Sequence, residues 1–216
     1  MFPILGAVAA ALTVAGDAAA SVSNPDYYFI DVPSGQDSIY VGPTAQFSLM
    51  TGQLEGDIDS AGAWTFGAAA FPQSLTGITI SGGAVKAQLV ILASGTSGSF
   101  LYNAARDVDL TLRARIVLTG PTITASCQTV PFTVTLSSTK TFTAGGSSLT
   151  GSPYNTTTGS FRVVASDFSI AAISTGCDTA AKRATINAAL GFGASVGSVG
   201  LKFDRASVTS PAVLAP

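Results

Sequence analysis

The stretch DVDLTLRARIVL, residues 107–118, decides how this chain folds. Val108, Leu110, Leu112, Ala114, Ile116 and Leu118 alternate without a break with Asp107, Asp109, Thr111, Arg113, Arg115 and Val117. Successive side chains of a β-strand point to opposite faces, so one apolar set shares one face and all four charges share the other. A helix would scatter both sets around its circumference. The stretch therefore reads as a strand with a buried inner face and a solvated outer face. Glu55, Asp57 and Asp59 also alternate, with Ile58 facing the other way. An acidic strand next to 107–118 would pair with Arg113 and Arg115 across the sheet, each pair contributing up to about 1 kcal/mol. Asp107, Asp109, Arg113, Arg115, Glu55, Asp57 and Asp59 are thus the candidate binding face. The rival reading of the same alternation is a pore lining.

Working outward, the same signals recur. Runs at 27–31, 45–50, 53–58, 63–69, 75–81, 84–93, 122–127, 131–138, 160–166, 168–174 and 199–206 are β-branched or alternating and bounded by Gly, Pro, Ser or Asn. Many short strands with such punctuation predict an all-β, antiparallel protein, a β-sandwich in the first reading and barrel-like in the second. One short α-helix is expected near 178–190: Asp178 as N-cap, then TAAKRATINAAL with Ala181, Ile186, Ala189 and Leu190 on one stripe, and Gly191 as the stop. It should lie across one end of the sheet, with a final strand after it. TAGGSSLTGSPYNTTTG, 143–159, is the most loop-like region, and its Asn155-Thr156-Thr157 sequon marks a surface position. The expected domain plan is a signal peptide or apolar N-terminal helix at 1–20, one β-rich domain at 21–206 and an irregular tail at 207–216.

The N-terminal segment has an apolar run from Phe2 to Gly16, followed by Ala18-Ala19-Ala20, an A-x-A pattern that places cleavage before Ser21. No Lys or Arg precedes the run, which departs from a signal peptide's charged start. Cys127 and Cys177 are the two cysteines. An even count in a chain with an export-like leader favours a disulfide, and closing a loop of that length stabilises by about 4 kcal/mol in the loop-entropy model. The expected location is extracellular or in the cell envelope.

Charged residues make up only 10% of the chain, against roughly 25% in an average soluble protein. With a net charge of -2, the composition lacks the basic excess that nucleic acid demands. The chain has no histidine, which removes Ser-His-Asp, Cys-His and His-dependent zinc chemistry.

The remaining motifs are weak. Ser137-Ser138-Thr139-Lys140 fits S-x-x-K, but K-T-G is absent and Ser137 closes a strand-like run where the motif needs a helix start. Asp57, Asp59 and Gly62 match part of a calcium loop, yet Ala61 and Ala68 stand where ligands belong. Asp107 and Asp109, about 7 Å apart on one strand face, have the residue types of a glycosidase pair, but the nearby arginines would keep both ionised. GFGASVGSVG, 191–200, follows the helix where a dinucleotide fingerprint would lead into one. Trp64, Phe66, Phe71 and Tyr154 are a candidate carbohydrate platform, with Trp64 better read as a core anchor.

Between Leu54 and Phe203 the chain resembles secreted, β-rich proteins of actinobacteria. The residues that carry the resemblance are GDIDSAGAW, IVLTG, TITASCQT, LTGSPYNTTTGSFRV and GCDTAAKRATINAALGF. It implies an exported all-β domain with a cysteine pair and a short helix after the second cysteine, and it brings no catalytic residues. The expected function is a non-enzymatic secreted or cell-envelope module that binds or supports another component. The alternatives are a membrane-active pore or lipid carrier and, third, a glycan-active enzyme. Expected partners are an envelope component or a protein, a second copy of the chain included, with membrane association left open; no cofactor and no metal are expected.

Overall fold

The computed structural model describes residues within 28–209, leaving out 33–36, 42–44, 49–51, 59–62, 71–73, 75–77, 81–82, 101–104, 145–146, 156, 159 and 195–198, as well as 1–27 and 210–216. In chain order the strands are β1 (Tyr28–Val32), β2 (Asp37–Val41), β3 (Ala45–Ser48), β4 (Gly52–Ile58), β5 (Ala63–Phe66), β6 (Ala69–Ala70), β7 (Ile78–Ile80) and β8 (Gly83–Phe100). They continue with β9 (Val108–Thr119), β10 (Phe132–Ser137), β11 (Thr141–Ala144), β12 (Ser147–Thr150), β13 (Ser152–Asn155) and β14 (Ser160–Phe168). Helix α1 (Ala180–Leu190) and β15 (Val199–Thr209) complete the order.

Strand β9 behaves as its alternation requires. Val108, Leu110, Leu112, Ala114, Ile116 and Leu118 are each at most 1% exposed, and every residue between them is half-buried. Its neighbours are β8 and β10, both antiparallel, in register through Ala87↔Leu118, Leu89↔Ile116, Val134↔Leu112 and Leu136↔Leu110. The apolar rows of three adjacent strands therefore share one side. Burying one such Leu or Ile is worth about 1.5–3 kcal/mol, so this face dominates the packing energy.

The sheet runs β13-β14-β10-β9-β8-β5-β4-β1-β15-β2-β3 and curls until β14 also pairs with β15. β14, β10, β9, β8, β5, β4, β1 and β15 thus follow one another around a ring. Of the two architectures held open by the sequence, the chain takes the barrel-like one: a single curled antiparallel sheet, with Leu54, Trp64, Phe66, Phe161, Val163, Ala165 and Phe203 joining the core. A long strand such as β8 can serve two sets of partners, and this one pairs β7 and β6 early and β5 late.

Several local expectations are corrected. Residues 122–127 and 169–174 are not strands; each is buried or anchored without a ladder. Asn187 holds Ile173 from both sides, accepting from its N–H and donating to its carbonyl, and Gly193 N–H donates to Ile170 O. The region 143–159 contains the end of β11 and all of β12 and β13 in place of a loop. β2 was not anticipated, and β15 overruns the expected boundary at 206: Ser207, Val208 and Thr209 pair with Asp31, Ile30 and Phe29. The helix is N-capped by Thr179, whose hydroxyl accepts from Lys182 N–H, and not by Asp178; of the expected stripe Ile186 and Leu190 are buried while Ala181 and Ala189 are exposed.

Where the ladder lapses, buried hydroxyls take over. Ser74 Oγ accepts from Ala87 N–H at 3.0 Å, Ser138 Oγ from Val108 N–H at 2.9 Å, Thr129 Oγ1 from Ile116 N–H at 3.0 Å and Thr96 Oγ1 from Arg113 N–H at 3.1 Å. In three of the four the backbone N–H of the same Ser or Thr returns a bond to the strand carbonyl: Ser74 to Ala87, Ser138 to Val108 and Thr129 to Ile116. A buried donor left without a partner costs about 1–3 kcal/mol. Thr129→Val, which keeps the shape and removes the acceptor, should lower the unfolding free energy by that amount in urea titration. Thr79→Val at an exposed strand position should leave it nearly unchanged.

Candidate functional site

The outer face of β9 assembles four of the seven candidate residues. Asp107, Asp109, Arg113 and Arg115 do lie on the side opposite the core, but all four are half-buried, so the face is only partly solvated. Each has a distinct environment. Asp107 Oδ1 accepts from Ser138 Oγ at 3.3 Å, which ties it to the hydroxyl that satisfies Val108. Asp109 is registered with Ser99 on β8 and Ser137 on β10.

Arg113 is covered by a bulge. β8 takes five residues to pass from Leu92 to Ser97 while β9 takes two to pass from Arg113 to Thr111. The extra chain folds onto the arginine stem: a Cβ added at Gly95, which has φ +84°, would stand 3.2 Å from Arg113 Cδ. The guanidinium reaches toward Ser94 O at 3.4 Å. Only glycine takes that left-handed backbone conformation without strain while leaving room for the stem. Arg115 is registered with Val90, and its Nε is buried without a hydrogen-bond partner.

The expected acidic neighbour does not arrive. Glu55 and Asp57 belong to β4, which is separated from β9 by β5 and β8. Asp57 is registered with Thr65 and Glu55 with Phe29, so neither faces an arginine across a strand pair. Asp59 lies outside the described residues, as does Phe71. Sequence spacing identified the buried face of β9 correctly but carried no information about which strands become its neighbours.

The other motifs resolve into structure. Ser137 ends strand β10 and shares a 2.9 Å hydrogen bond with Thr139 Oγ1, while Lys140 Nζ donates to Thr135 O at 3.5 Å; no helix starts there. Trp64 and Phe66 meet edge to face at 5.4 Å inside the core, and Tyr154 packs against it, so these aromatics form no exposed platform. Among the described residues no three Asp, Glu, Cys or His side chains gather to hold a metal ion.

The densest polar cluster is a staple at one end of the sheet that sequence reasoning found only in part. Cys127 and Cys177 form the expected disulfide, with Cα atoms 4.4 Å apart and both residues buried. Cys177 N–H donates to Ser126 O. Gly176, Cys177 and Asp178 have φ of 75°, 53° and 64°, a left-handed run that costs the two L-residues about 1–3 kcal/mol each and so must be held by its contacts. Asp178 supplies many of them. Its carboxylate accepts from Thr124 N–H and Oγ1–H, from Ala125 N–H at 2.6 Å and from Lys182 Nζ at 2.5 Å. Lys182 Nζ also donates to Thr122 O. The ammonium of Lys182 foremost, then the Thr124 and Ala125 donors, hold the Asp178 carboxyl well below the usual carboxylate range. This geometry orders a loop.

Comparison with protein-family models, with curated proteins and with solved structures finds no match for this chain.

Two measurements check the staple. Replacing Cys127 and Cys177 together by Ser should lower the unfolding free energy by about 4 kcal/mol in denaturant titration. Because the Asp178 pKa is depressed by folding, its contribution is complete above the ordinary carboxylate pKa and is withdrawn as the pH falls through it toward the folded value. Asp178→Asn should therefore destabilise at neutral pH, and its deficit relative to the unaltered protein should shrink as the solution is acidified.

Proposed function

We propose that this chain is a non-enzymatic module of the extracellular space or cell envelope that binds or supports another envelope component. The observation that carries the reading is the division of labour on β9 and its neighbours. Inward side chains fill the core, and outward polar groups either brace the backbone or lie partly exposed on the outer face of the sheet. Among the described residues these polar groups are spread along the strands or engaged by the backbone, and do not converge on one point as catalytic groups do. The lack of any histidine in the chain agrees with it.

Export is part of the proposal. A disulfide persists in oxidising compartments, and the apolar 1–20 segment with its A-x-A pattern is the matching address. An actinobacterial source rests on the resemblance of the quoted segments. A membrane-spanning barrel needs apolar side chains outside and polar ones within. β9 has the opposite order, which speaks against a pore.

Purified protein should co-sediment with an isolated cell-envelope preparation, release no soluble fragments from it, and give no channels in planar bilayers. Fragment release that disappears in Asp109→Asn with the fold retained, or unitary conductance steps, would overturn the reading.

A further inference from the structure

The outer face of β8, β9 and β10 combines two features. The first is a pair of guanidiniums. Arg113 and Arg115 are two residues apart on one face, about 7 Å along the strand. Neither makes an ion pair with an acid among the described residues. Of the acids on the same face, Asp107 is occupied with Ser138, and Asp109 stands two residues beyond Thr111, on the side away from the arginines. Beside the arginines the register places Leu92 and Val90 on β8, both half-buried, so the charges sit on a partly apolar floor that strengthens any ion contact made there. The bulge fixes the stem of Arg113, and the surroundings of Arg115 shut off its Nε, leaving its terminal nitrogens as the part a ligand can meet.

The second feature is a row of hydroxyls. Thr135, Thr111, Ser97 and Thr65 are registered side by side on β10, β9, β8 and β5, at the interstrand spacing of about 4.8 Å. Thr135 and Thr111 share a 3.2 Å hydrogen bond, and Thr135, Ser97 and Thr65 are exposed. The row lies one step along β9 from Arg113, and Thr133 sits directly beside that arginine on β10.

Resting on the reading of a binding module, we propose that this face takes an acidic polysaccharide: Arg113 and Arg115 receive its carboxylates, and Thr133, Thr111, Thr135 and Ser97 hydrogen-bond the hydroxyls of adjoining sugar rings. Charge complementarity selects an anionic ligand, and the hydroxyl row beside the arginines selects a sugar chain over a lipid surface, which would call for exposed apolar side chains to insert. Among the described residues Val130 is the large hydrophobic side chain exposed, at 51%. Because the whole chain carries a net charge of -2, attraction for a polyanion must be local, and binding should weaken steeply with salt.

The test is calorimetric titration of the full protein with soluble oligogalacturonate, with a neutral maltooligosaccharide and phosphatidylglycerol vesicles as further arms. Salt-sensitive binding to oligogalacturonate is expected, with no binding of the neutral sugar. The double variant Arg113→Gln with Arg115→Gln, its fold verified by melting, should bind about tenfold more weakly or worse. Thr135→Val should weaken binding without altering its salt dependence. Absence of binding, or equal binding by the double variant, overturns the proposal. Vesicle binding without oligogalacturonate binding also overturns it while leaving the envelope module intact, whereas cleavage of the probe would bring down the non-enzymatic reading itself.

Discussion

The structure depends on one requirement: β9 is buried on one face and paired on both edges, so each of its backbone amides must find a partner inside the protein. Ladders to β8 and β10 meet most of that demand. At Val108, Arg113 and Ile116 the neighbouring strand ends or bulges, and Ser138, Thr96 and Thr129 supply the missing acceptor. A sequence so poor in charge uses hydroxyls for this because they are small, neutral and cheap to desolvate once bonded. Part of the abundance of Ser and Thr is thus backbone repair.

The same economy governs the end of the sheet. Helix α1 inserts only Ile186 and Leu190 into the core, too little apolar surface to dock firmly by burial alone. The disulfide, the Asp178 carboxylate and the Asn187 amide supply the rest, each joining α1 or its approach to a segment that forms no strand. Asp178 is therefore more than a helix cap displaced by one residue. Freed from capping by Thr179, it becomes the acceptor around which residues 122–125 are ordered.

For the outer face, physical chemistry separates two kinds of charge. Asp107 is engaged in holding Ser138, and its loss would be felt by the strand start. Among the described residues Arg113 and Arg115 stand without acidic partners, because β4 lies three strands away in the sheet instead of alongside. An exposed ion pair would have contributed little to stability in any case. Its absence instead leaves a local positive patch on a chain of net negative charge, next to an array of hydroxyls.

What the sequence determined by itself was periodic and local. The two-residue repeat of 107–118 fixed which side chains are buried, the Ala-rich run ending at Gly191 marked a helix, and an even cysteine count indicated the bond between Cys127 and Cys177. These follow from backbone geometry or covalent chemistry, which neighbours in the chain suffice to specify. Only the tertiary structure decided that the sheet curls through β14 and β15, that Glu55 and Asp57 lie away from the arginines, and that Thr65, Ser97, Thr111 and Thr135 form one row. Strand order and register arise from contacts far apart in the chain, and alternation looks the same whichever strand comes to lie beside it.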